Sequence, residues 1–353
     1  MAAGQFTESQ LLETRLKAEQ YWKNSAHAAS YTPEATSAKA VLENQTMKFD
    51  AFDDYVTKER KVKVTWLDAC GAEVRDCVST CELTEEEIES KSKEYQPDIC
   101  KQIGFAVDFT KLKTNDYTSD EVVLHGIATR VKALDEYWAR QILAKLAAYA
   151  GINVAPAPFT FDAPSMTTLV PENDYTLRML ANILQQGKLN RMTDVYMIDN
   201  GALYLEMLNA KFNAGNAEGK GDATRMSMFE KILYDDQFNF AAAGITEDTF
   251  MISKGAIAFQ TVNKNPDRPT LIGGSVQQTV YTIPSNMLPG VKYDVYYTVE
   301  CKTVNNKAHY FHTWTFETNG IIALNPEGCP VTVGRETYTP TGVLGFTKRV
   351  AVE

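Results

Sequence analysis

The sequence predicts an α+β protein built from long elements. Three observations point there. The stretch "RVKALDEYWARQILAKLAAYAG", from Arg130 to Gly151, carries apolar residues at helical spacing over its whole length. The last third of the chain alternates apolar and polar residues over long runs, as in "VKYDVYYTV" and "KAHYFHTWTF". Between them, short helical and strand-like segments take turns.

The totals set the class. The chain has 353 residues with 44% hydrophobic and 23% charged content, enough for a sizeable core. Its net charge of -10 argues against an outer face that binds nucleic acid, while suiting a protein that must lie near DNA without adhering to it. There is no apolar run of about 18 residues, so no membrane span is expected. The start "MAAGQFTESQ" has no secretory character. A reducing compartment is therefore expected, with the six cysteines as free thiols. Cys70, Cys77, Cys81 and Cys100 cluster, but their spacing lacks the paired pattern of a zinc site.

Taken in order, residues 1–30 read as an amphipathic helix. Thr7 and Gln10 form its capping box, and Leu12, Leu16 and the Tyr21–Trp22 pair form its apolar stripe. Residues 31–57 show little periodicity. "RKVKVTWLDA" predicts a strand, with Val62, Val64 and Trp66 on one side and Lys61, Lys63 and Thr65 on the other. "CELTEEEIESKSKEY" predicts a short acidic helix opened by Thr84, and "IGFAVDF" predicts a strand. Thr118 and Glu121 form a second capping box. From there Ile127, Val131, Leu134, Trp138, Ile142, Leu146 and Tyr149 recur every three or four residues, widened by Leu143, Ala147 and Ala150. A helix from about Ser119 to Ala150 spans on the order of 48 Å, severalfold the usual length.

Beyond it, "DYTLRMLANILQQG" predicts a helix capped by Asp174 and stopped by Gly187. "TDVYMIDNG" predicts a strand and turn, "ALYLEMLNAKFNAG" a helix, "GNAEGKGDATR" a loop, and "TFMISKGAIAFQT" two apolar segments about a turn. In the last third, Val291, Tyr293, Val295, Tyr297 and Val299 share one face. Ala308, Tyr310, His312, Trp314 and Phe316 share another, and Asn305-Asn306 joins the two runs as a hairpin.

Catalytic and ligand-binding patterns are missing. His309 and His312 stand three apart on a strand and face opposite sides, so they cannot share a metal. His312, beside Trp314, reads as a packed ring. Gly215 to Lys220 is one residue short of a phosphate loop and has Gly221 where a Ser or Thr must hold Mg²⁺. No Rossmann, nucleophile-elbow or zincin motif occurs. Neither cofactor nor metal is expected, and no catalytic residue is assigned.

The order of parts, with "EVVLHGIATRVKALDEYWARQILAKLAAYAG", "TDVYMIDNGALYLEMLNAKFN" and "DTFMISKGAIAF" in sequence, resembles the HK97-like (Hong Kong 97) major capsid proteins of tailed bacteriophages. The ending "HTWTFETNGIIALNPEGC" followed by "TGVLGF" resembles capsid proteins of phages of Bacteroidetes hosts. The resemblance implies an N-terminal arm (1–57), an extended loop (58–117), a spine helix with the start of a peripheral domain (118–165), an axial-type α/β domain (166–265) and a β-rich return (266–353). It further implies a structural subunit, not an enzyme, assembling into hexamers and pentamers of an icosahedral virion shell around double-stranded DNA, built in the bacterial cytoplasm. Implied partners are further copies of the chain with portal, scaffold and decoration proteins. A scaffold separate from this chain, or none, is expected, as is the absence of a crosslink through Lys58, Lys61 or Lys63. The candidate inter-subunit residues are Leu12, Leu16 and Trp22 on the arm, and Lys61, Lys63 and Trp66 on the loop, overlying a neighbour. The alternatives are an encapsulin-like nanocompartment shell, a tail-tube or adaptor protein, an adhesive β module, and an enzyme whose site assembles only in space.

Overall fold

A computed structural model gives the architecture and describes residues 5–24, 31, 33–43, 48–49, 62–67, 90–97, 99–112, 118–148, 159–162, 167–177, 179–192, 194–212, 231–235, 245–273, 278–324, 331–333, 336–338 and 341–349. The chain opens with α1 (Glu8–Asn24). Its start is the expected capping box: the Thr7 hydroxyl accepts the Gln10 N–H (3.3 Å), and Gln10 Oε1 accepts the Thr7 N–H (2.9 Å). A second helix, α2 (Pro33–Leu42), occupies a stretch where no element was expected. Pro33 pre-sets its first turn. Its buried face is made of small residues, Ala35, Ser37 and Ala38, before Val41 and Leu42. A stripe of alanines carries little hydrophobic contrast, which is why periodicity did not reveal it.

Strands β1 (Lys48–Phe49), β2 (Val62–Leu67) and β3 (Ser90–Tyr95) form an antiparallel sheet. Part of the expected acidic helix is thus a strand. "SKSKEY" alternates, and its pairing with β2 sets Tyr95 opposite Val62 and Glu94 opposite Lys63. Thr84 to Glu87, Lys61 and "GNAEGKGDATR" lie outside the described residues. β4 (Ile99–Asp108) and the one-turn α3 (Phe109–Leu112) lead to α4 (Ser119–Ala148). Thr118 and Glu121 close the second capping box, with Glu121 N–H to Thr118 Oγ1 at 3.3 Å and Thr118 N–H to Glu121 Oε2 at 2.9 Å. The 30 residues of α4 span about 45 Å. Val131, Leu134, Trp138, Ile142, Leu143 and Leu146 are all buried along it.

Next come β5 (Thr160–Asp162), β6 (Thr167–Pro171), α5 (Met179–Leu189), β7 (Tyr196–Asp199), α6 (Ala202–Phe212), β8 (Lys231–Tyr234) and β9 (Ile245–Ile252). α5 differs from expectation at both ends. Asp174 sits in a 3₁₀ turn and does not cap it, because Tyr175 dives into the core and bonds Thr249 Oγ1 at 2.5 Å. Gly187 does not stop it either. The helix ends on a Schellman pattern, Met192 N–H to Gly187 C=O (2.9 Å) and Arg191 N–H to Lys188 C=O (3.1 Å), with Arg191 at φ 54°. Gly187 instead lets α5 lie against Met251, whose methyl would be 2.8 Å from an added Cβ.

The remaining strands are β10 (Ile257–Thr261), β11 (Thr270–Ile272), β12 (Gln278–Pro284), β13 (Lys292–Val304), β14 (Lys307–Leu324), β15 (Val331–Val333), β16 (Glu336–Tyr338) and β17 (Val343–Arg349). β13 and β14 form the expected hairpin. Asn305 (φ 50°) and Asn306 (φ 59°) make the two-residue turn in the left-handed conformation that asparagine tolerates. β14 is long enough to pair with β13 along one edge and with β4 and then β10 along the other. The sheet continues through β12 to β11. The other large sheet runs β5-β6-β17-β9-β7-β8, so β17 returns from the far end of the chain to lie between β6 and β9. The chain changes sheets between β9 and β10.

α4 joins the two sheets. Its apolar stripe shares one core with Tyr293, Val295, Tyr297, Trp314 and Phe316 of the hairpin sheet and with Ile198, Phe250, Ile252 and Val343 of the other. The opposite face of that second sheet, with Met197, Met251, Leu344 and Phe346, is covered by α5 and α6.

Candidate assembly surfaces and buried anchors

The six candidate residues lie in two places. On α1, burial falls on Leu11 and Ala18, both in the core against α4. The helix is thus rotated by about one position from the stripe read in sequence: Leu12 is half-buried and Leu16 is 51% exposed. The Trp22 side chain lies outside the described residues. Phe6, just before α1, sits among Phe109, Tyr297, His312 and Trp314 with ring centroids 5.6–6.1 Å away, and its N–H donates to the Tyr297 hydroxyl at 3.1 Å. Along the same helix, Glu8 Oε1 accepts the N–H of Leu271 (3.0 Å), and the Arg15 guanidinium donates to the Asp267 carbonyl. The arm helix is therefore docked on its own chain, across α4 and against the edge strand β11, and it presents Leu16 outward.

On the loop, Val62, Val64 and Trp66 share the inward face as expected. That face rests on Ala258, Val262, Ile321 and Ala323 of the same chain, with Trp66 half-buried and Lys63 exposed. Among the described residues, the arm packs in the α4 core and the loop candidates in separate small clusters. The large apolar side chains left exposed among the described residues are Leu16, Leu205, Tyr234, Leu271 and Ile272. Of these only Leu16 was singled out in the sequence; Leu271 and Ile272 lie on a three-residue edge strand with no alternation to betray it.

Two buried polar sites hold the frame. The first is Asp135, fully buried on α4. Its Oδ1 accepts hydroxyls from Ser285 (2.6 Å) and Tyr293 (2.5 Å), and its Oδ2 accepts the Tyr31 hydroxyl at 2.6 Å. Burial raises its pKa to about 6, opposed by those hydroxyl donors. Tyr293 is pushed well above the usual phenol range by burial and by that carboxylate. A signal for this site exists in the sequence: an acid four residues after Val131 and three before Trp138 stands on the apolar stripe itself. The second is Asp199, at the end of β7. Its Oδ1 accepts Thr249 Oγ1 (2.6 Å), and its Oδ2 accepts the N–H groups of Gly201 (3.1 Å) and Tyr204 (2.8 Å), capping α6.

His309 and His312 both have structural partners. The Tyr297 hydroxyl accepts the Phe6 N–H at 3.1 Å and shares a hydrogen bond with His312 Nδ1 at 2.7 Å. Burial lowers the His312 pKa, which favours the neutral ring. His309 faces the other side and pairs with Asp108 (2.7 Å). Among the described residues, no three metal-ligating side chains are gathered, and no helix is long and apolar enough to cross a membrane.

No protein-family model matches the chain, and no curated protein does. Among solved structures, it is similar to a chain of Mycobacterium phage Che8 at 14% identity, covering 87% of this chain and 94% of that one with a TM-score of 0.37. It is similar to one from the capsid of Ralstonia phage GP4 at 9% identity, 84% and 85% coverage and a TM-score of 0.42. A chain from the capsid of the cyanophage P-SCSP1u gives 9% identity, 84% and 85% coverage and a TM-score of 0.41.

Proposed function

We propose that this chain is a structural shell subunit of the HK97-like kind, tiling an icosahedral phage capsid around double-stranded DNA. The observation that carries the reading is α4: a 30-residue helix laid across an 18-residue strand and reaching a second sheet, so that one element sets the width of a tile. The order of parts, arm, loop, long helix, α/β segment and strand return, supports it. The net charge of -10 suits an inner wall that releases packaged DNA. In this reading the chain works through interfaces with other copies in hexamers and pentamers, and catalysis plays no part.

The candidate contacts are Leu12, Leu16, Lys63 and Trp66 among the described residues, together with Trp22 and Lys61. The docking of α1 on its own chain narrows the arm's outward contact to the Leu16 side. Size-exclusion chromatography with light scattering tests the reading. Capsomer-sized or larger species are expected, and a monomer at every concentration and salt, with scaffold and portal proteins supplied, would overturn it. The encapsulin-like alternative shares the geometry and differs in cargo: co-purifying DNA and virion proteins favour the capsid, and a co-purifying enzyme favours the nanocompartment.

A further inference from the structure

Phe6 is held in a box of rings that contains an imidazole. Its ring centroid lies 5.6 Å from His312 and 5.7 Å from Phe109, edge-on to both, with Tyr297 at 5.9 Å and Trp314 at 6.1 Å. Phe109 packs on His312 in turn, at 4.2 Å. His312 is buried in β14, with Val299 of β13 and Val107 of β4 opposite it in the two ladders. The Tyr297 hydroxyl joins the parts: it accepts the Phe6 N–H at 3.1 Å and bonds His312 Nδ1 at 2.7 Å. One oxygen thus ties the backbone of the arm segment to the imidazole.

The proton on that bond decides what the oxygen can offer. Against a neutral ring whose Nδ1 is the acceptor, Tyr297 donates its O–H to the nitrogen and keeps a lone pair for Phe6. A protonated ring carries an N–H at both nitrogens and must donate to Tyr297, so the hydroxyl faces two donors and its own proton loses its acceptor. The cation would also stand among rings in place of water. Tyr297 and Trp314 are fully buried in central strands and cannot give way. Phe6 is half-buried and precedes the capping box at Thr7, so it can turn out without unwinding α1. We propose that His312 is a catch for the segment leading into α1: its neutral ring holds Phe6 in the box, and protonation frees it.

The sign follows from linkage. Burial lowers the His312 pKa in the closed box, so the ring binds its proton more weakly there than when hydrated, and protonation favours release. The hold is fully present above the ordinary histidine pKa of about 6.5 and is lost as pH falls below it toward the lowered one. The other ionisable groups do not reverse this. Tyr297 from β13 and Tyr281 from β12 are both pushed up by burial and stay neutral. Asp108 of β4 pairs with His309 on the opposite face of the sheet. Glu8 of α1 and Lys111 of α3 are exposed, and Glu8 accepts the Leu271 N–H. The inference concerns one chain and stands apart from the shell reading.

Hydrogen exchange of the full chain at about pH 5 and about pH 7.5, each normalised to the intrinsic chemical rate, tests it. In the wild type, protection of the Phe6 amide should fall several-fold at the lower pH, while the centre of β13 stays protected. Equal protection of Phe6 at both values would overturn the proposal. His312→Asn supplies a neutral acceptor that takes no proton in this range, and it should hold Phe6 at both values. The wild-type response in H312N would overturn the proposal as well. Tyr297→Phe guards against a misfolded H312N: without the shared oxygen the Phe6 amide should exchange fast at both values, and a wild-type profile there would also overturn it.

Discussion

At Gly320 the Trp138 ring of α4 lies against the backbone of β14, and replacing this glycine with alanine tests how the spine is seated. A Cβ built there would lie 2.5 Å from Trp138 Cη2, 2.6 Å from Cζ2 and 2.8 Å from Phe259 Cε2. Neither ring can yield easily. Trp138 is fully buried, and its indole N–H donates to Thr318 Oγ1 at 2.8 Å, while Phe259 packs on Trp138 with centroids 4.6 Å apart. Overpacking of this kind costs about 1–3 kcal/mol, and a strained indole bond adds about 1. The gain from removing a strand glycine returns about 0.5–1 kcal/mol. The net is a loss of about 2 kcal/mol, read as a fall in Tm of roughly 2–4 °C for a chain of this size.

Gly273→Ala is the control, since nothing lies within 4 Å of its Cβ position. Thermal unfolding followed by intrinsic fluorescence gives the numbers, and Trp138→Phe closes a double-mutant cycle. Removing the outer indole ring should make Gly320→Ala cheaper by more than about 0.5 kcal/mol. A neutral Gly320→Ala, or additivity with Trp138→Phe, would refute the seating.

Other outcomes follow from the same contacts. Leu11→Ala should cost about 2–5 kcal/mol because that side chain fills the α1–α4 core, whereas Leu16→Asp should change stability by less than about 0.5 kcal/mol and, in the shell reading, still block assembly. Scanning calorimetry and sedimentation of the two variants separate the roles. Thr118→Ala should cost about 1 kcal/mol by opening the capping box of α4, measurable by denaturant melts. Gly187→Ala should be close to neutral in the same melts. The atom that meets the new methyl is the flexible end of Met251, and the helix gains about 1 kcal/mol of propensity to offset it.

Local chemistry was legible where it determines structure by itself. Both capping boxes, the Asn305-Asn306 hairpin and the stripe of α4 from Ile127 to Leu146 follow from neighbours a few residues apart, and each stands where the sequence reading placed it; Tyr149 and Ala150 lie outside the described residues. The errors share another cause. α2 packs through alanines, so its buried face has no contrast to read. Gly187 looked like a stop because glycine often is one, yet here it answers to Met251, distant in sequence. β3 is a strand because β2 pairs with it, and its own residues are too polar to announce that. The rotation of α1 by one position came from α4, which takes Leu11 and Ala18 and leaves Leu16 outside. The insertion of β17 between β6 and β9 joins residues about 180 apart, beyond any local pattern. Of the candidate contacts, residue type was readable, but the side that faces outward depended on this tertiary packing.

The most direct test of the shell assignment is negative-stain electron microscopy of the chain produced with its scaffold and portal proteins. Closed shells of uniform size, or rings of five and six subunits, are the expected result. A field of compact single subunits under those conditions would contradict it.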